Sequence, residues 1–184
     1  MFPRYLTTDR QLLPASGIII NCKLQEMVQI NRTRLDYLEK FQQMLDEYNA
    51  GSRNVEWFFN QLIAFAQELK TEDKRAIAEN LSEEELAVFD LLTNPAIKLT
   101  KQEEAQVKKV AKELLETLKR EKLVLDWRKR QQTRVGVEVV IKDMLDQLPS
   151  SYSADLYEQK CRDVYQHVYE SYPGQGYGIY REYD

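Results

Sequence analysis

His167 is the single histidine of the chain, so no His/His metal pair can form around it. A lone imidazole can act as a general base when a nucleophile stands beside it. Cys161 lies six residues earlier, on a different face of any helix. No Ser or Cys in the chain has a recognisable nucleophile context, so His167 reads as a structural or surface histidine. Cys22 and Cys161 read as small apolar fillers. Two cysteines and one histidine fall short of a Cys/His zinc site and of a disulfide framework. The run Gly174-Gln175-Gly176-Tyr177-Gly178 has the glycine density of a phosphate loop. Such a loop needs a strand before it and a helix after it, and here a helical pattern precedes. The acidic pairs Asp36/Glu39, Glu83/Glu84 and Glu103/Glu104 could hold a divalent ion. With Lys and Arg nearby on helices, they read instead as solvated or capping groups. No GxxxxGK[ST] phosphate loop occurs.

The segment Lys119 to Arg134 is the most informative. Lys119, Arg120, Lys122, Arg128, Lys129, Arg130 and Arg134 stand against Glu121 and Asp126 alone. That is a surplus of five positive charges in a chain of net charge −4, which leaves nine negative charges for the remainder. Such asymmetry suits an acidic partner or a phosphate backbone. Trp127, in the middle, is either an interface anchor or a core residue beneath a solvated face. The tyrosines crowd the C-terminal part: Tyr152, Tyr157, Tyr165, Tyr169, Tyr172, Tyr177, Tyr180 and Tyr183. Tyr157, Tyr165, Tyr169 and Tyr172 cannot all face one core from one helix. They belong to a contact surface or to packing under the C-terminal tail.

The elements that carry these residues read as helices. Hydrophobic residues make up 43% of the 184 and charged residues 30%, a globular composition that excludes a disordered chain. Leu, Glu, Lys, Gln and Ala fill the stretches between glycines and prolines. A first long helix is expected from about Asn21 to Tyr48, stopped at Asn49–Ser52 with Gly51 free to take a positive φ. A second fits Asn54 to Lys70, with one apolar stripe of Val55, Phe58, Phe59, Leu62, Ile63, Ala66 and Leu69. A short third piece covers Glu72 to Glu79. Ser82-Glu83-Glu84-Glu85 and Thr100-Lys101-Gln102-Glu103 are capping boxes that open two more. Arg134 to Ile141 is rich in β-branched residues and could be a strand. Val137, Val140, Ile141, Met144, Leu145 and Leu148 keep helical spacing over more than two turns, so length decides for helix. The last helix runs from Ser153 to Tyr172. The fold class is therefore all-α, an irregular bundle of six to seven helices, with no internal repeat and no linker in the middle. No apolar run is long enough to span a bilayer, and Met1–Arg10 lacks the layout of a signal peptide, so a cytoplasmic protein without membrane contact is expected.

Several phrases carry a resemblance. They are Ile30-Asn31-Arg32-Thr33-Arg34-Leu35 leading into Asp36-Tyr37-Leu38-Glu39-Lys40-Phe41, then Leu81 to Pro95, Glu121 to Pro149 and Tyr157 to Gly174. Together they resemble the helical C-terminal domain of the restriction (motor) subunit of type I restriction–modification enzymes. The similarity makes 30–174 the helical domain, 1–29 an N-terminal extension or the tail of a preceding region, and 175–184 a C-terminal tail. It implies a parent subunit that is an ATP- and Mg-dependent DNA translocase and endonuclease, with a nuclease domain and two helicase-like domains before this region. It implies that the helical domain docks that subunit onto the methyltransferase core of modification and specificity subunits. No catalytic residue transfers, because no motif of the family's chemistry falls in this stretch. The expected partner surface is Lys119–Arg134 with the final helix. Direct DNA contact by the same cations is the alternative.

Overall fold

A computed structural model describes residues 19–95 and 97–172. They form eight α-helices and two short 3₁₀ helices, with no strand among them. The all-α expectation holds, and the helix count exceeds it because the first predicted helix breaks. α1 spans 19–30. Asn31 then leaves the helical region, at φ −137° and ψ 106°. Its side chain accepts from the Thr33 amide at 3.1 Å and from the Thr33 hydroxyl at 2.7 Å. An Asn that bonds its own neighbours offers the backbone a turn in place of a helix. A 3₁₀ turn over Arg32–Arg34 leads into α2, Leu35–Asn49. Gly51 at φ +70° closes α2, as its position predicts.

The chain divides into two compact units, Met1–Ala78 and Glu79–Asp184. The sequence pattern shows no boundary there, because neither glycine nor proline marks it. The first unit adds α3, Val55–Asp73, and α4, Arg75–Ala78. Its core joins Leu24 and Met27 of α1, Phe41 and Met44 of α2, and Phe58, Leu62, Phe65 and Leu69 of α3. α1 is thus part of this core, although 1–29 reads as an extension in the sequence. Phe41 stacks on Phe65 with ring centroids 5.7 Å apart. Beside the rings a buried ion pair joins Arg34 Nε to Glu72 Oε1 at 2.9 Å, and Arg75 Nε reaches the same oxygen at 3.1 Å. The expected single stripe of α3 splits. Phe58, Leu62 and Leu69 are buried, together with Phe65, while Val55, Phe59 and Ile63 are 40, 52 and 46% exposed.

The second unit contains α5 (Glu83–Thr93), α6 (Lys101–Glu121), α7 (Gln131–Leu145) and α8 (Ala154–Ser171). Packing runs in a ring: α5 on α6, α6 on α7, α7 on α8, and α8 back on α5. α7 is a helix, so the helical period outweighs its β-branched composition. Both capping boxes form. Ser82 and Glu85 exchange bonds of 2.9 and 3.2 Å, and Thr100 and Glu103 exchange bonds of 2.8 and 3.3 Å. Val107, Val110, Ala111, Leu114 and Leu118 of α6 are buried as their spacing predicts. Lys160 of α8 is fully buried and closes the C-terminal end of α5, donating to the Leu91 carbonyl at 2.6 Å and to the Asn94 carbonyl. It supplies the donor that orphaned helix-end carbonyls need. Burial holds its amine below the usual value.

Candidate partner interface

The Lys119–Arg134 segment occupies the last turn of α6, a short loop, a 3₁₀ turn over Trp127–Lys129 and the first turn of α7. Leu123, buried at 1% exposure, pins the loop from below. Trp127 is wholly buried. Its Nε1 donates to the Tyr172 carbonyl at 2.9 Å, and its ring meets Tyr169 edge-on at 5.8 Å. Tyr172, also buried, donates its hydroxyl to Glu84 Oε2 at 2.6 Å, and Lys119 Nζ reaches that same oxygen at 2.5 Å. One connected set of polar contacts therefore ties the end of α6, the first turn of α5, the end of α8 and the 3₁₀ turn. The expectation of Trp127 as an interface anchor is corrected to its core alternative. A large ring with its one N–H satisfied inward gains more from burial than from solvent.

Most of the cations are also held by the unit itself. Arg120 pairs with Glu121 at 2.8 Å and with Glu116 at 3.6 Å, and the Glu121 contact holds the Glu121 carboxyl below its usual pKa. Lys129 pairs with Asp126 at 2.9 Å. Arg128 lies over the Tyr169 ring at 5.1 Å and donates to the Glu170 carbonyl at 3.1 Å. Arg134 donates to the Arg128 carbonyl at 2.6 Å. Lys122 is half-buried and Arg130 is exposed at the N-cap of α7. Between them the loop shows Val124 and Leu125, 50 and 65% exposed. The surface is a mixed one, two apolar side chains framed by cations, above the buried Leu123 and Trp127.

The other sequence candidates resolve as follows. His167 is buried, with Nδ1 3.4 Å from the Ser171 hydroxyl. Cys161 is buried, and burial pushes its thiol pKa up, which suits a filler. Cys22 is exposed, so the filler reading fails there: the buried positions of α1 are Leu24, Met27 and Ile30 instead. Glu103 caps α6, but Glu84 is buried and paired rather than solvated. The late tyrosines divide between two roles. Tyr152 and Tyr172 are buried, whereas Tyr169 is 36% exposed. Tyr152 donates to the Leu92 carbonyl at 3.1 Å, and Tyr157 donates to Asp146 Oδ1 at 2.6 Å. The glycine run 174–178 and Tyr177, Tyr180 and Tyr183 lie outside the described residues. Glu84 and Lys160 escape sequence reading, since an acidic first turn and a helical lysine look the same whether solvated or buried. A shallow cleft of about 270 Å³ lies between α7 and α8, lined by Glu138, Lys142, Glu158, Arg162 and Tyr165 among others. Among the described residues no group of three His, Cys, Asp or Glu gathers to hold a metal ion. No helix there is long and apolar enough to cross a membrane.

A family model described as Type I restriction enzyme HindI endonuclease subunit-like, C-terminal, matches residues 18–172. The chain belongs to this family. The type I restriction C-terminal match takes in α1 through α8, so both compact units are part of it. No curated protein and no solved structure matches the chain.

Proposed function

We propose that this chain is a non-catalytic assembly module, which docks a type I restriction endonuclease subunit onto the methyltransferase core of modification and specificity subunits. Membership in the type I restriction C-terminal family is the observation that carries the reading. The nuclease and ATP- and Mg-dependent translocase chemistry would then reside in domains preceding this one in the parent. The loop that joins α6 to α7 is the proposed contact. Exposed Val124 and Leu125 beside Lys122, Lys129 and Arg130 suit a protein surface with acidic and apolar groups. A phosphate backbone would use the cations and leave the two apolar side chains unmatched. Direct DNA binding is favoured only by the run Arg128-Lys129-Arg130.

Titration of the chain into its cognate methyltransferase core by calorimetry tests the reading, with duplex DNA titrated in parallel at two salt concentrations. The docking reading expects binding to the core and little salt-sensitive DNA binding. The triple variant Lys122→Glu, Lys129→Glu, Arg130→Glu should weaken core binding while the helical circular dichroism stays unchanged. Arg128 is left out, because its contacts with Tyr169 and the Glu170 carbonyl hold the fold. Steep loss of DNA affinity with salt, without core binding, would move the function to the DNA reading. Full-strength core binding by the triple variant would remove the loop from the account.

A further inference from the structure

α3 of the first unit carries an apolar face that its own core does not use. Val55, Phe59 and Ile63 recur every four residues, which places them in one row along the helix. They are 40, 52 and 46% exposed, and Ala66 continues the row, also exposed. From Phe59 to Gln67 the helix carries no charged side chain, in a chain where charged residues make up 30%. Depletion of charge around exposed aromatic and aliphatic groups marks the centre of a protein contact. It also constrains the occupant: a charged group brought onto this face would lose its water with no counter-ion to replace it.

The charges that end the row say which occupant fits. Glu56 lies at its N-terminal end and Lys70 at its C-terminal end, both exposed. Neither makes an ion pair among the described residues. The acidic residues on the rest of α3 do: Glu68 pairs with Lys40, Glu72 with Arg34 and Arg75, and Asp73 with Lys23. Helix polarity does the rest. If a second α3 runs antiparallel, with Ile63 on the two-fold axis, Glu56 of each copy stands opposite Lys70 of the other. Phe59 of each copy then comes level with the uncharged Gln67 of the other, next to Ala66. The row is complementary to itself in charge, with an uncharged apolar centre, which is what a two-fold interface requires.

From these observations we infer that the α3 face is a self-association surface, on which a second copy of this chain packs its α3 antiparallel. The surface uses none of the residues of the α6–α7 loop and does not depend on the docking reading. A contact confined to one helix pair lies at the small end of specific interfaces, so a weak and reversible dimer is expected.

Sedimentation equilibrium of the full chain over a concentration series tests the inference. A reversible monomer–dimer equilibrium is expected. Phe59→Asp and Ile63→Asp should each raise the dissociation constant at least about tenfold, by placing an unpaired charge at the centre of the contact. Both residues are exposed, so unchanged circular dichroism separates lost association from lost fold. Glu56→Lys should weaken the dimer by setting two lysines opposite each other, and Glu56→Lys combined with Lys70→Glu should restore it. A chain that stays monomeric at the highest concentration overturns the inference. So does a dimer indifferent to the aspartate variants, or a charge swap that fails to restore what Glu56→Lys removes. A monomer whose Phe59→Asp variant loses binding to the methyltransferase core would assign the face to a different protein and also overturn it.

Discussion

Glu84 is the residue on which the second unit's polar contacts converge, accepting from the Tyr172 hydroxyl and pairing with Lys119 on one buried oxygen. Glu84→Ala removes the bond from the Tyr172 hydroxyl and the pairing with Lys119, a loss of about 1–3 kcal/mol in urea unfolding. Lys119→Ala should cost a similar amount, since it leaves the buried Glu84 carboxylate without its cation. A double-mutant cycle on the two would show whether they act as one unit. Tyr152 gives a test in pH. Burial pushes its hydroxyl up to about 12 from 10.0. The folded state therefore favours the neutral phenol, and this stabilisation is present below pH 10.0 and disappears as pH rises to about 12. Alkaline unfolding followed by circular dichroism should lose part of its steepness in that window in Tyr152→Phe. The same variant should be weaker at neutral pH by about 1 kcal/mol, for want of the bond to the Leu92 carbonyl. None of these roles is visible in the sequence, where Glu84 is the middle of three glutamates and Tyr152 one of eleven tyrosines. The cations of 119–134 were visible, but composition does not show that carboxylates and carbonyls of the same unit already hold most of them.

At the scale of elements the sequence was more informative, because helix ends and apolar spacing are local. Ser82/Glu85 and Thr100/Glu103 announce the starts of α5 and α6, and both boxes form as written. Ser82→Ala and Thr100→Ala should each lower stability by about 1 kcal/mol in thermal or urea unfolding. What local reading could not supply was a tertiary choice. The split face of α3 is an example: Phe58 and Phe59 are adjacent and equally apolar, yet one is buried and the other is 52% exposed. Only the position of α1 and α2 decides which of the two the core takes. The break at Asn31 is the opposite case. Its cause is a single side chain bonding Thr33, a local event, but the apolar spacing on either side masks it.

The whole molecule divides at Ala78 into two units, and each has its own buried aromatic centre. Phe41, Phe58 and Phe65 fill the first, and Trp127 with Tyr172 fills the second. The two tryptophans fall one in each: Trp57 on α3, under the Arg53 guanidinium at 4.9 Å, and Trp127 in the second unit. The second unit closes its four-helix ring with residues from 82 to 172 alone, and its capping boxes, the Lys160 contacts and the Glu84 contacts all lie inside that range. A fragment Glu79–Asp184 is large enough for a self-standing core. It should fold cooperatively, with the near-ultraviolet circular dichroism of a fixed Trp127 and one urea transition. In the full chain, Trp57→Phe leaves Trp127 as the sole indole, and its fluorescence should follow a transition with the midpoint of the fragment. Phe65→Ala, which should remove about 3–5 kcal/mol from the first unit, would then leave the Trp127 midpoint in place. A fragment that keeps its helices but loses the near-ultraviolet signal would show that the second core needs the first to become fixed. In that case Phe65→Ala should drag the Trp127 transition down with it.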